Sequence, residues 1–130
     1  MTIDQARRSE DPQALLARMM RKQLFVILNS AVAEPAALRP YLAEHLNYLI
    51  DLEKRGILFA SGPFSDENGQ LTGDGLTIVR ATSFEDAMKI ANEDPFTRSG
   101  LRKPTVRQWT VNEGRIQISV DLSDCRGDLP

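Results

Sequence analysis

The sequence predicts an α+β sandwich of the ferredoxin-like kind, with strand–helix–strand–strand–helix–strand order, on three observations. Leu24 to Leu28 is short, apolar throughout and rich in strand formers, which reads as a strand covered on both faces. Two segments of helical periodicity, Glu34 to Arg55 and Ser83 to Glu93, alternate with strand-like runs. A polar turn signal, Asp66-Glu67-Asn68-Gly69, joins the two middle runs as a hairpin. The doubled strand–helix–strand unit places both helices on one sheet face. One helical layer leaves the other face open, so the apolar first strand predicts a second copy of the chain against it.

Each element has its local reason. Asp11-Pro12 reads as an N-cap with proline at the first helical position, opening a short helix with Leu15, Leu16, Met19 and Met20 as its stripe. That helix should end at Arg21-Lys22, whose cations suit a C-terminus, while the residues before it are polar and unpatterned. The long helix from Glu34 carries Leu38, Leu42, His45, Leu49 and Leu52 on one face and stops at Gly56. Ile57 to Ala60 and Leu76 to Val79 are the hairpin strands. Ser83 caps the second helix, which turns Phe84, Ala87, Met88 and Ala91 inward and ends where Asp94 precedes Pro95. Thr105 to Val111 is the last core strand. Ile116, Ile118, Val120 and Leu122 alternate with polar residues, which predicts an extra strand paired with it through the Asn112-Glu113-Gly114 turn. The expected organisation is an N-terminal extension over 1–22, the ferredoxin-like domain over 23–111, and a strand and tail over 112–130.

Composition narrows the function. The chain has 130 residues, with 16 Lys and Arg against 18 Asp and Glu, so a strongly basic nucleic-acid surface is not expected. Its single cysteine, Cys125, excludes an internal disulfide and a Cys-type zinc site. Its single histidine, His45, excludes a His-cluster centre, so any metal would need carboxylate and carbonyl oxygens. The longest apolar run, Leu24 to Leu28, is far too short for a membrane span. The stretch MTIDQARRSEDPQ has no apolar core of the secretory kind. The expectation is a reducing cytoplasm, with no membrane or nucleic-acid partner.

A few residues stand out against that background. His45 is a titratable ring on an otherwise leucine stripe. It reads either as a core histidine satisfied by one hydrogen bond or as a proton-transfer group, since imidazole is best poised near neutral pH. Asp94 places a carboxylate at the negative end of a helix, a poor electrostatic choice. It reads either as a loop cap or as an acid facing the imidazole across neighbouring helices. Ser61-Gly62-Pro63 reads as a strand-ending turn or as the wall of a ligand cavity. A serine hydrolase is not expected, because Ser61 has no second histidine as its base and GxSxG is absent. Neither GxGxxG nor GxxxxGK[ST] occurs, so no phosphate loop is expected. Arg98, Arg102, Lys103 and Arg107 form a basic cluster, either solvated or an anchor for a carboxylate or phenolate, with Arg107 as the expected contact. Phe96 and Trp109 read either as core or as part of a pocket lining.

Taken in order, His45-Leu46-x-Tyr48-Leu49, Gly56-Ile57-Leu58, Ser61-Gly62-Pro63-Phe64, Ser83-x-Glu85-x-Ala87 and Asp94-Pro95-Phe96 resemble the YciI-like (YCII-related) family across residues 23–111. The resemblance implies the dimeric α+β barrel form of the ferredoxin-like fold, related to muconolactone isomerase. It also implies a His–Asp pair at an active site, mapping onto His45 and Asp94. Elimination of halide from hydroxylated chloroaromatics is among the chemistries associated with the family. The extra N-terminal helix and the strand from Ile116 to Leu122 depart from its pattern. The expectation is a homodimeric, cofactor-free lyase or isomerase acting on a small anionic or phenolic molecule. His45 would be its general base or acid, Asp94 the residue orienting that ring, and Ser61, Gly62, Pro63 and Arg107 the substrate contacts, with no metal. The alternatives are a non-catalytic small-molecule binding or accessory protein with the same cavity, and a cofactor-free oxygenase of the related monooxygenase barrel.

Overall fold

A computed structural model describes residues 1–130, of which Gln23–Thr110 form one compact unit and Met1–Lys22 with Val111–Pro130 a second. The larger unit runs β1 (Lys22–Ala31), a 3-10 helix (Pro35–Tyr41), α3 (Leu42–Lys54), β2 (Leu58–Ser65), β3 (Leu71–Val79), α4 (Phe84–Glu93), α5 (Pro95–Arg98) and β4 (Arg102–Val111). Helices are numbered from the N-terminus, so α1 (Ile3–Arg8) and α2 (Pro12–Ala17) belong to the smaller unit. The four-stranded sheet has the order β2-β3-β1-β4, which is the ferredoxin-like arrangement.

Register decides which side chains meet the helices. Phe25 pairs with Val79 and Ile27 with Thr77, and directly opposed residues share a face. Phe25, Ile27, Val79 and Val106 pack there with Ala87 and Ala91 of α4 as the main core. Small alanines on α4 let helix and sheet approach closely. The intervening pairs, Val26 with Ile78 and Leu28 with Leu76, point to the opposite face.

Several elements differ from the sequence expectation for identifiable reasons. The long helix is broken: Pro35–Tyr41 is 3-10 and only Leu42–Lys54 is α-helical. Pro40 lacks an N–H and its ring opposes the carbonyl four residues back, so the α-helix begins just after it. The far end behaves as expected: Gly56 adopts φ 76°. Its N–H donates to Glu53 O and that of Ile57 to Leu52 O, a Schellman cap. Ser61-Gly62-Pro63 does not end a strand; β2 continues to Ser65. Proline is tolerated because β2 lies at the sheet edge. The Asp66–Gln70 turn is built as its sequence suggests, with Asp66 Oδ1 accepting from Asn68 N and Gln70 N and Gly69 at φ 79°. Phe84 opens α4 but is exposed, as is Trp109, so neither belongs to the core.

The smaller unit departs most. α1 was not expected, yet Thr2 and Gln5 close a reciprocal capping box around its start. α2 begins at Pro12 but stops at Ala17, short of the expected end, and Arg21 takes φ 52°. The alternating run from Ile116 does not pair with β4. Instead β5 (Ser119–Asp121) pairs with β6 (Arg126–Asp128) in a separate two-stranded sheet. A tight turn after Leu122, closed by Arg126 N donating to Asp124 Oδ1, makes this local hairpin. Ile116, Ile118, Val120 and Leu122 are all exposed, against the expected half-buried strand.

Candidate active site

Asp94 sits where two helices meet. It ends α4 in extended backbone (φ −60°, ψ 128°), as a residue before proline must, and it is the N-cap of α5. Its Oδ1 accepts from Phe96 N at 2.9 Å. The electrostatic misfit with α4 is therefore offset by an N-cap on the following turn. The same oxygen accepts from His45 Nδ1 at 2.8 Å. A carboxylate only accepts, so Nδ1 carries the proton and Nε2 is left as the basic nitrogen of the neutral ring. Both groups are buried, at 7% and 4% exposure, so water competes little for this bond. His45 is placed by α3, which packs against α5, and its ring stacks on Phe96 at 3.9 Å between centroids and 15° between planes.

His45 and Phe96 form part of the wall of an open cleft of about 960 Å³ between α3 and the β2–β3 hairpin. Leu42, Leu46 and Ile50 of α3 are half exposed along it, and Phe59 and Leu71 face them. Ser61, Gly62 and Pro63 line the same cleft, with the Ser61 hydroxyl 3.2 Å from that of Thr77. A Cβ at Gly62 would meet nothing within 4 Å, so a glycine is not required there for packing. Arg107 is not on this wall. It follows Val106, which faces the helices, so it projects exposed from the other side of the sheet. Of the basic cluster it is Arg102 that reaches the cleft, buried at 8% exposure; the exposed Arg39 of the 3-10 helix also lines it. Arg102 Nε donates to Gly73 O at 2.9 Å and its guanidinium lies 4.7 Å from the Phe96 ring centroid. Nothing in the spacing of the basic cluster separates Arg102 from Arg107. The strand alternation does, once Val106 is fixed as a core residue.

Behind the His–Asp pair is a small cavity of about 10 Å³ touched by Asn29, Tyr48, Thr77 and Asp94. Asn29 is 3% exposed and its Oδ1 has no hydrogen-bond partner in the protein. Its signal in the sequence is a lone amide closing the apolar run from Leu24, a position that sequence reasoning passed over. No three His, Cys, Asp or Glu side chains come together as a metal-binding group. No helix is long and apolar enough to cross a membrane.

Tyr48, one helical turn from His45, donates its hydroxyl to Ile90 O at 2.7 Å, tying α3 to α4. Burial, followed by the nearby Glu93 and Asp94 carboxylates, pushes its phenol well above the ordinary value of 10.0. The folded chain thus keeps a proton that the unfolded chain surrenders once pH passes 10. Above pH 10 the stability contributed by Tyr48 falls as pH rises. Tyr48→Phe is expected to flatten this alkaline slope while costing about 1 kcal/mol at neutral pH. Denaturant melts of both proteins between pH 8 and 11 measure it.

Known proteins resemble this chain in sequence and in fold. The chain is 32% identical over 73 residues to the uncharacterized protein YjpA of Bacillus subtilis (strain 168), covering 56% of this chain and 80% of that protein. A solved structure of 5-chloro-2-hydroxyhydroquinone dehydrochlorinase (TftG) from Burkholderia phenoliruptrix AC1100, in complex with 2,5-dihydroxybenzoquinone, superposes with a TM-score of 0.55 at 25% identity, over 66% of this chain and 92% of that one. The fold is that of the dimeric α+β barrels. Residues 22–110 match the YCII-related domain, and with the sheet order and the paired helices already in place the chain belongs to the YCII-related family.

Proposed function

We propose that this protein is a cofactor-free acid–base enzyme acting on a small hydroxylated ring compound, with His45 moving the proton and Asp94 holding the imidazole. One observation carries the reading: the buried 2.8 Å bond from His45 Nδ1 to Asp94 Oδ1, beside a cleft wide enough for an aromatic ring. The carboxylate fixes the tautomer and stabilises the imidazolium that forms when Nε2 takes a proton. The likeness to a dehydrochlorinase structure supports a specific chemistry. In loss of HX from a halogenated hydroquinone, His45 carries a proton from a ring hydroxyl to the halogen-bearing carbon; the carbon of that hydroxyl becomes a ketone and the halogen-bearing carbon becomes tetrahedral. Loss of a second hydroxyl proton then expels halide with its bonding electrons. The net change is loss of HX, so no oxidant is consumed. Ser61 and Thr77 are in place to hydrogen-bond ring oxygens.

The test is chloride release from 5-chloro-2-hydroxyhydroquinone by purified protein, together with NMR of its single histidine during titration with 2,5-dihydroxybenzoquinone. The expected result is enzyme-dependent chloride release and a shift of the His45 signals. Binding without turnover of any halogenated or unhalogenated hydroquinone would favour a binding protein. No shift of His45 with either compound would remove the reading.

The dimer belongs to the same proposal. The face carrying Val26, Leu28, Leu76 and Ile78 has no helix of its own unit against it, and a second copy would cover it as an isologous sheet-on-sheet contact.

A further inference from the structure

We propose that Arg102 is the anion-binding residue of the cleft, and that the ligand is a flat ring carrying an ionised oxygen that meets the Nη groups of its guanidinium. The inference deepens the acid–base reading above and rests on it. A guanidinium does not lose its proton in proteins, so an arginine at 8% exposure is a permanent charge largely withdrawn from water. Such charges are normally paired, because an unpaired one is costly. Arg102 takes part in no ion pair. Of its nitrogens only Nε has an acceptor in the protein, the Gly73 carbonyl. Nη1 and Nη2, the outer edge of the fork, have none, and the residue lines the cleft.

The fork is also held in place. Its Cζ lies over the Phe96 ring. It also rests against Gly75, where a Cβ would come within 2.9 Å of Nη1 and 3.2 Å of Cζ. Gly75 is extended backbone, so its value here is the missing side chain. A guanidinium held by its Nε bond and in contact with a ring and a glycine has little rotamer freedom left to lose on binding. Phe96 stacks on the Arg102 guanidinium and on the His45 imidazole alike. One aromatic side chain thus fixes the cation and the proton-transfer group relative to each other. Burial draws the pKa of Arg102 down against the opposing pull of Asp94 and then Asp74, and neither carboxylate comes within ion-pair distance. A residue serving only to tie β4 to β3 would spend its outer nitrogens on backbone carbonyls, as it spends Nε.

The experiment uses the full chain at pH 8 and two probes with the same ring: 4-nitrocatechol, ionised at that pH, and its dimethyl ether, 1,2-dimethoxy-4-nitrobenzene, which has no ionisable oxygen. Affinities come from calorimetry, and the His45 ring signals report occupancy of the cleft. Wild type is expected to bind the catecholate at least about tenfold tighter than the ether, the scale of one charge-assisted hydrogen bond. Arg102→Gln is expected to bring the two affinities within about threefold by weakening only the anion. Arg102→Lys, which keeps the charge and loses the planar fork, is expected to fall between them, and it replaces R102Q if that variant melts early. Both variants keeping the full wild-type preference would overturn Arg102 as the anchor, while the acid–base reading stands as long as the His45 signals move. If neither probe moves those signals in wild type, both fall together.

Discussion

Replacing His45 with glutamine is expected to lower turnover by roughly 10²- to 10⁴-fold, the range for loss of a positioned acid or base. Glutamine can still donate to Asp94 Oδ1 from its amide, so the buried carboxylate is not orphaned and the fold survives. Asp94→Asn sharpens the test. Asparagine is a good N-cap, so its Oδ1 can keep the bond from Phe96 N. The same oxygen can still accept from His45 Nδ1, so the ring keeps its tautomer and loses only the negative charge that stabilises the imidazolium. Activity is expected to fall, though less far than in H45Q, while the melting temperature stays within a few degrees. Asp94→Ala is the contrast: it loses cap and histidine partner together, and about 0.5–2 kcal/mol of stability from the cap alone. Rates and thermal melts of the three variants check this. If D94N turns over at the wild-type rate, Asp94 is a cap and the imidazole acts without it.

The sequence carried more of this site than of the chain around it, for physical reasons. His45 was visible because a single ring interrupts a leucine stripe, and Asp94 because a carboxylate at a helix C-terminus needs a second role. Their 2.8 Å contact depends on how α3 crosses α5, which no spacing encodes. The helix break at Pro40 was legible, since proline in a helix interior costs an N–H and a clash, but the leucine periodicity across it reads as continuous. Arg102 and Arg107 are equivalent in composition and separate only when strand parity is tied to Val106. The hairpin of β5 and β6 was misread because alternation reports a strand, not its partner. The Thr2–Gln5 capping box was in the sequence throughout; a six-residue helix behind it has no apolar stripe to draw attention.

Leu28→Arg is expected to dissociate the proposed dimer. Leu28 lies opposite Leu76 on the sheet face turned away from α3 and α4, with Val26 and Ile78 the next pair along. Val26, Leu28 and Leu76 of that apolar row are only partly buried while Ile78 is nearly covered, and Trp109 of β4 is 40% exposed. A specific interface buries roughly 1,200 Å² or more, which a four-stranded sheet packed on its copy can supply. In an isologous contact each substitution occurs twice, so L28R brings two like charges into the same apolar layer. A buried charge without a partner costs about 3–5 kcal/mol, equivalent to a hundredfold or greater loss of association. The half-buried Leu28 side chain can let an arginine reach solvent in the monomer, so each chain stays folded. Sedimentation of wild type at micromolar concentration should give a dimer and L28R a folded monomer. Leu122→Arg, on the exposed turn after β5, is the matched control and should leave the dimer intact. Wild type sedimenting as a monomer, or L28R as an undiminished dimer, would show that this face is not the contact.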